Sequence, residues 1–258
     1  MQITNDIPQN EIEYKVFKPV PALADFVESF WMIVNHSDAA HEIVILPDGR
    51  FDIIFSYSDT DAFNSALIGL GSEAEQTIFA SKTVMFAVSF KLLAIEYLLD
   101  IKAASILNQA QTLPNDFWEI TKDDLNDFEN FCEKVSAKML SLIKPGIDNR
   151  KKKLFDLIYT SNGALSVKEL SKTIFWTERQ INRYFNQFFG IPLKAYCNIL
   201  RFRASFTHIK EGKLFPQQNF ADQAHFIKEV KKLSGVIPKE LSKNQNDRFI
   251  QFSTLPKE

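Results

Sequence analysis

The sequence predicts an α+β protein. Its N-terminal half is predicted to be a β-barrel or sandwich with a helical hairpin, and its C-terminal half to be all-α, with two helix-turn-helix units joined by a linker helix. Strand-like apolar runs separated by turn residues fill the first 90 residues. Helical periodicity takes over after Phe90. One capped helical pattern then occurs twice, at an offset of 45 residues.

The β-rich part begins with a short helix that leads into a strand over Pro19–Trp31. Residues 42–57 contain two apolar runs on either side of Pro47-Asp48-Gly49, which predicts a hairpin. Further strands are predicted at 66–71 and 82–90.

The composition becomes helical after these strands, with segments predicted at 92–99, 103–108 and 123–143. The last segment has an apolar stripe at helical spacing, formed by Leu125, Phe128, Val135, Met139 and Leu142. Residues 144–153 combine Pro, Gly and a basic run, as a linker does. We therefore predict two domains, at 1–145 and 150–258.

The two halves carry opposite charge. Residues 150–258 contain 20 Lys and Arg against 9 Asp and Glu. Residues 1–149 contain 10 Lys and Arg against 23 Asp and Glu. A basic half indicates a polyanionic partner, although a solvated basic surface is the alternative interpretation.

The first helical unit spans Leu165–Gly190. Ser166 with Glu169 and Thr177 with Gln180 are capping boxes, which predict two helix starts. Residues 174–176 alone separate the first helix from the second cap, a connection typical of a DNA-binding helix-turn-helix. The predicted apolar face consists of Leu170, Ile174, Ile181, Phe185 and Phe188.

The outward face of the second helix, about 177–189, carries side chains suited to reading bases. These are Glu178, Arg179, Gln180, Asn182, Arg183 and Asn186. Arg recognises guanine, and Asn or Gln recognises adenine, in the major groove. Solvated surface charge is the alternative for the arginines, and the cap can occupy Gln180.

The repeat predicts another helix at about 222–234, capped by Asp222 and ended by Gly235. Its outward positions are Gln223, Ala224, Ile227 and Lys228. A lysine is a point charge, so Lys228 is expected at a phosphate. This helix is therefore expected to position the protein more than to read sequence.

Residues 154–243 resemble the tandem helix-turn-helix domain of AraC/XylS-type transcription regulators. The resemblance is carried by Leu165–Gly190, by the linker-helix stretch Pro192–Ala204, and by Asn219–Phe226 through Gly235–Pro238. It implies that both recognition helices enter the major groove of double-stranded DNA.

The chain departs from the family pattern at three points. The stretch 201–220 is about five residues short, and 211–218, with Pro216, replaces the first helix of the second unit. Phe175 and Asn219 stand where the family usually has Gly. Asn tolerates the left-handed backbone that such turns require.

The first half resembles the sensor-like N-terminal half of such regulators more loosely. The matching residues are Phe30-Trp31, Leu46–Phe55, and Val88–Phe90 leading into Leu98–Ile101. This resemblance implies effector sensing, dimerisation or both.

The main hypothesis is a cytoplasmic, sequence-specific DNA-binding transcription regulator. It is expected to form a homodimer and has a small-molecule effector as a candidate partner. The alternative is a ligand-binding or small enzymatic β-barrel whose helical C-terminus mediates protein contacts.

Other classes of protein lack support in the sequence. No apolar run approaches a membrane span, and the first residues lack the pattern of a secretory signal. Cys132 and Cys197 have no metal-type spacing, and Cys197 is expected at a packed edge of the linker helix.

His36 and His41 are interpreted as surface residues, and Asp48 and Asp52 flank a turn. Neither catalytic residues, metal nor cofactor is predicted.

Overall fold

The computed structural model describes residues 3–4, 11–101, 103–217 and 219–254. Within these ranges, nine strands form two sheets. Their bounds are β1 Ile3–Thr4, β2 Ile12–Phe17, β3 Val27–Asn35, β4 Ala40–Ile45, β5 Phe51–Tyr57, β6 Asn64–Ile68, β7 Glu75–Phe79, β8 Val84–Phe90 and β9 Ala110–Thr112. A 3₁₀ turn at Pro21–Leu23 leads into β3, as predicted.

The N-terminal half is a two-sheet β structure, which confirms the predicted fold class. The six-stranded sheet is antiparallel in the order β2-β3-β8-β5-β6-β9, and the smaller sheet has the order β1-β4-β7 with β1 parallel to β4. Successive side chains of a strand point to opposite faces. On β3, Phe30 accordingly joins the main core, whereas Ile33 packs with Ile43 and Phe79 of the smaller sheet.

The predicted hairpin over 42–57 is wrong. β4 pairs with β1 and β7, whereas β5 pairs with β6 and β8, so the two runs lie in different sheets. The backbone N–H and C=O of Leu46, at the end of the first run, bond to the Gln251 side chain. The turn residues thus carry the chain from one sheet to the other.

Nine α-helices occur in the described residues. They are α1 Phe128–Leu142, α2 Asn149–Thr160, α3 Val167–Ile174, α4 Glu178–Phe189, α5 Leu193–Ala204, α6 Phe206–Lys210, α7 Gln223–Ser234, α8 Pro238–Lys243 and α9 Ile250–Ser253. None of them is long and apolar enough to cross a bilayer.

The helical segments predicted after β8 are shorter than expected. Residues 92–108 contain a π-helical turn at Ile95–Leu99 and a 3₁₀ turn at Ala103–Ile106. The predicted helix 123–143 divides at Asp127, whose side chain caps α1. The predicted linker is also shorter, because α2 already begins at Asn149.

α1 covers the outer face of the large sheet through an aromatic cluster. Phe131 lies 5.7 Å from Phe55 and 5.4 Å from Phe86, ring centre to ring centre, and both pairs meet edge to face. Edge-to-face geometry at such distances is favourable for aromatic pairs. The sheet and α1 are therefore two adjacent layers that share a core.

The two halves share a hydrophobic core. One continuous cluster of buried side chains includes Phe51 and Leu98 from the first half and Phe185 and Tyr196 from the second. Buried hydroxyls cross the boundary as well: Tyr196 donates to the Gly49 carbonyl at 3.0 Å, and Tyr159 accepts from the Leu92 N–H at 2.9 Å. We call this boundary the seam.

The C-terminal residues 248–254 also cross the seam. The Val44 N–H donates to the Arg248 carbonyl at 2.6 Å, which adds one parallel bridge to β4. Ile250 packs against the cluster between the sheets, and Phe252 packs on Phe206 at 5.1 Å. The segment therefore ties the helical half to the smaller sheet.

Candidate nucleic-acid interface

The first helix-turn-helix unit forms with the predicted caps. Ser166 accepts from the Glu169 N–H, and the Glu169 carboxylate accepts from the Ser166 N–H at 2.8 Å. Thr177 and Gln180 make the same pair of bonds at the start of α4. Residues 175–177 connect α3 to α4, so the tight turn is present.

The inner face of this unit is buried as its periodicity predicts. Leu170, Ile174, Ile181 and Phe185 are buried, and Phe188 is half-buried because Phe189 takes the deeper position. Tyr184 is also buried and donates to Glu96 of the acidic half at 3.0 Å. The inner side of α4 thus packs against both halves.

The outer face of α4 is open to solvent. Glu178, Arg179, Arg183 and Asn186 are exposed, and Asn182 is half-buried. Neither Arg179 nor Arg183 has an ion-pair partner among the residues that the structure describes. Two unpaired guanidinium groups one helical turn apart can donate to base edges or phosphates.

Gln180 is a weaker candidate for base reading than its exposure suggests. Its side-chain carbonyl accepts from the Thr177 N–H at 2.8 Å and from the Thr177 hydroxyl at 3.0 Å. Bidentate recognition of adenine needs both the carbonyl and the amide group. The helix cap therefore occupies the Gln180 carbonyl, and only its amide group stays available for a base.

The repeat produces a matching second helix. α4 and α7 have 12 residues each, and each ends at a Gly in the left-handed conformation, Gly190 and Gly235. Asp222 caps α7 by accepting from the His225 N–H at 2.8 Å. Gln223, Ala224, Ile227 and Lys228 are exposed, as predicted.

The second unit lacks the tight turn of the first. The short helix α6 ends at Lys210, and no helix lies between it and α7 among the described residues of this stretch. The Gln223 amide donates to the Leu214 carbonyl at 2.8 Å and so stabilises the connecting loop. The Gln223 amide, one of the two groups that bidentate recognition of adenine needs, is therefore already engaged.

The linker helix α5 fixes the spacing of α4 and α7. Asn198 on α5 donates to Glu229 on α7 at 2.8 Å, and buried apolar side chains of α5 contact both neighbours. Cys197 is buried, which raises the pKa of its thiol to about 11. A thiol with a raised pKa is poorly nucleophilic, consistent with a packing role.

The two positions at which this sequence lacks the usual Gly of the family both have a left-handed backbone. Phe175 has φ 58°, and its side chain is 89% exposed, whereas Asn219 has φ 41°. Left-handed backbone is strained for a bulky side chain and tolerated by Asn. The Phe175 ring makes few contacts that would offset the strain.

Two lysines of the basic run at the end of the predicted linker pair with acidic residues of the first half. Lys151 pairs with Glu96 in a close contact, and Lys152 lies 2.6 Å from Asp25. Lys153 is exposed. The sequence offered no signal for these pairs, because their partners lie over 50 residues away.

One of the two histidines that were interpreted as surface residues differs from that interpretation. His41 is buried, not on the surface, and its Nε2 lies 3.3 Å from the Ser37 hydroxyl. His41 lies on β4 and faces inward on the same side as Ile43, so the surface interpretation of His41 is wrong. His36 is exposed and lies 3.1 Å from Glu13. In the described part of the chain, no cluster of His, Cys, Asp or Glu has metal-binding geometry.

Asp52 lies in a polar network between the sheets. Ser89 donates to it in a short hydrogen bond, and the Trp31 indole N–H lies 3.2 Å from the Ser89 hydroxyl and 3.4 Å from Asp52. Burial, together with the nearby Asp48, raises the pKa of Asp52 to about 7. A carboxyl group in such a setting favours its neutral form.

Comparisons with known proteins add the following. Residues 15–112 match DUF6597, a domain family of unknown function. No curated protein sequence matches the chain. The crystal structure of ToxT from Vibrio cholerae O395 is similar at 11% identity, over 92% of this chain and 98% of that one, with a TM-score of 0.47. Wild-type ToxT of strain SCE256 bound to an unsaturated fatty acid is similar at 13% identity, over 96% and 94%, with a TM-score of 0.41.

Proposed function

We propose that this protein is a sequence-specific DNA-binding transcription regulator. The observation that carries the proposal is the pair of equal, capped helices α4 and α7 held by one linker helix, with unpaired Arg179 and Arg183 on the exposed face of α4. The resemblance of residues 154–243 to AraC/XylS-type domains supports the same function.

The two helices have unequal roles in this proposal. α4 reads base edges through Arg179, Arg183 and Asn182, with the free amide of Gln180 as a further donor. α7 positions the protein, with Lys228 at a phosphate, because the Gln223 amide is engaged by its own loop. Two recognition elements on one rigid linker suit sites about one helical turn apart.

The acidic half senses a small-molecule effector, mediates homodimerisation, or does both. It is well placed for the first task, because the shared core and the hydrogen bond from Tyr184 to Glu96 connect it directly to α4. Dimerisation would pair two binding sites and raise the overall affinity through effective concentration.

Selection of binding sites from random duplex DNA tests this function. The full-length protein and its Arg179→Ala variant are compared at moderate salt, with Arg150→Ala as the matched control, because Arg150 pairs with Asp148 of its own segment. We expect the wild-type protein to enrich a sequence motif. Arg179→Ala should lose its base preference at one position of that motif, which corresponds to about 1–3 kcal/mol of discrimination between the preferred base and the others. Arg150→Ala should retain that motif.

Two results would contradict the assignment. Salt-sensitive binding without any enriched motif would argue against sequence-specific regulation. Equal losses on selected and random DNA for Arg179→Ala would make that residue a phosphate contact instead of a base reader.

A further inference from the structure

The turn of the first helix-turn-helix unit presents a phenyl ring to solvent. Phe175 is 89% exposed, and among residues 165–190, all of which the structure describes, no other large apolar side chain is exposed. Single exposed apolar side chains are common on protein surfaces. This one also has a φ of 58°, in the left-handed region that is strained for a bulky residue. Neither burial nor the local backbone accounts for the ring, and strain of this kind is often kept at functional positions.

The surroundings of Phe175 are polar and more basic than acidic. Within four residues of it in the sequence, the exposed charged side chains are Lys172, Glu178 and Arg179. The neighbouring Trp176 is half-buried, with its ring centre 5.5 Å from that of Tyr184. Aromatic anchors of protein interfaces lie in the water-excluded centre of the patch, where charged residues are depleted. A lone ring among cations instead suits a partner that combines negative charge with small apolar groups.

The second unit repeats this arrangement. Phe215 is 54% exposed in the loop before α7. The side chain of Gln223, the first residue of α7, donates to the Leu214 carbonyl and so holds this part of the loop close to the start of the helix. Ile227, one turn further along the outer face of α7, is 37% exposed. In both units, therefore, an exposed phenyl ring lies near the first turn of the proposed recognition helix.

This position is the one closest to bases in a helix-turn-helix complex. The N-terminal residues of a recognition helix contact base edges in the major groove. Phe175 precedes the cap of α4, Thr177, by two residues. Thymine carries a 5-methyl group on the major-groove edge of its base pair, and apolar side chains, Phe among them, contact that group.

We propose that Phe175, and Phe215 with Ile227 in the second unit, contact thymine methyl groups in the major groove. The inference rests on the proposed DNA-binding function and names the base that these side chains select. α4 then reads bases through hydrogen bonds and through one apolar contact. α7, whose Gln223 amide is engaged by its own loop, obtains a base preference from apolar contacts in addition to its positioning role.

Replacement of thymine by uracil in the selected DNA site tests the inference, because uracil pairs with adenine in the same way and lacks only the methyl group. Binding of the full-length protein is measured to the site and to versions in which single thymines are uracil. We expect affinity to fall about fourfold at one thymine or more in each half of the site, the ratio that burial of one carbon of this size provides. Replacement outside the motif should leave the affinity unchanged.

Alanine variants assign each methyl group to a side chain. Phe175→Ala should bind the thymine site severalfold more weakly than wild type and bind its uracil version equally well at one position. Phe215→Ala should behave in the same way in the other half of the site. Leu140→Ala is the matched control, because Leu140 is an exposed apolar residue on α1 of the acidic half, and it should retain the full thymine preference.

Phe175→Gly separates the DNA contact from folding. Gly adopts a positive φ readily, which offsets its larger loss of conformational freedom on folding. This variant should therefore unfold at no lower temperature than wild type, yet lack the thymine preference at the same position as Phe175→Ala. A clearly lower unfolding temperature would show that the ring supports the fold, and would overturn its assignment as a side chain kept for binding.

The outcomes distinguish this inference from the function on which it rests. A selected motif in which no uracil replacement lowers the affinity would overturn the methyl contacts and leave sequence-specific binding in place. Full preference for thymine over uracil in Phe175→Ala would also overturn the contact at that residue and would assign the ring to a protein partner. The absence of any selected motif would remove the proposed function and this inference together.

Discussion

The Tyr184 hydroxyl donates a 3.0 Å hydrogen bond to the Glu96 carboxylate, and Lys151 pairs with the same carboxylate. Tyr184 lies on α4, Lys151 on α2, and Glu96 in the π-helical turn after β8. One acidic side chain thus holds two helices of the basic half, including the proposed recognition helix. The orientation of α4 is therefore coupled to the first half.

Removing this hydroxyl should destabilise the protein. Tyr184→Phe deletes a partly buried hydrogen bond to a charged acceptor, which should lower the free energy of unfolding by about 1–3 kcal/mol. Urea unfolding at neutral pH measures the change. Tyr57→Phe, a half-buried tyrosine of the barrel, is the control, and a loss no greater than in that control would contradict the coupling.

Equivalent glycines in the two repeats should respond differently to substitution. Gly190 and Gly235 both have positive φ, at 68° and 78°. A Cβ on Gly235 would meet nothing within 4 Å, whereas a Cβ on Gly190 would lie 3.0 Å from the Ala104 backbone, across the seam. Left-handed strain of about 1–2 kcal/mol applies to both alanine variants.

We therefore expect Gly190→Ala to destabilise the protein more than Gly235→Ala does, because the contact with Ala104 adds to the strain. Thermal unfolding of the two variants under identical conditions gives the comparison. Equal losses would show that the close approach at Ala104 relaxes without a penalty.

Lysines of the basic half should contribute unequally to DNA affinity. Lys151→Gln should leave the dependence of affinity on salt concentration nearly unchanged, because Lys151 is already paired with Glu96. Lys168→Gln should reduce the slope by about 1, because Lys168 is exposed near the start of α3, which would cross the DNA backbone. Binding to random duplex DNA at several salt concentrations measures both slopes, and a larger change for Lys151→Gln would reverse this assignment.

Asp52 should make stability depend on pH. Its pKa is raised from 3.8 to about 7, so the folded state favours the neutral form. The stabilisation is complete below about pH 4 and is lost as the pH rises through about 7. Asp52→Asn does not titrate, so its stability relative to wild type should increase between these pH values.

Urea unfolding of both proteins from pH 4 to 8 follows this difference and cancels the titration of other groups. The expected increase is on the order of a few kcal/mol, at 1.36 kcal/mol per pKa unit. A constant difference over the whole range would mean that Asp52 ionises normally.

Local features of the helical half could be predicted because their causes lie close together in the sequence. The capping boxes at Ser166 and Thr177 act over three residues, and Gly190 and Gly235 end helices at the positions where the periodicity stops. The exposed face of α4 follows from the same periodicity, which also places Arg179 and Arg183 one turn apart.

Features that depend on distant partners could not be predicted. The run before Pro47 has the apolar pattern of a hairpin arm, yet its end bonds to Gln251, over 200 residues away. β2 and β7 lack strong alternation because three of the six side chains of β2 and three of the five of β7 are exposed. The inward position of His41 became evident only with the pairing of β4.

The sequence by itself determined the α+β class, the charge division, and the two capped helices with their outward side chains, because each depends on neighbouring residues or on composition. Only the tertiary structure decided how the halves meet: the packing of Tyr184 on Glu96, the burial of Arg50 beside Arg203, and the attachment of residues 248–254 to β4. Contacts of this kind join residues far apart in the chain. Their geometry follows from the packing of the whole core, which no local pattern records.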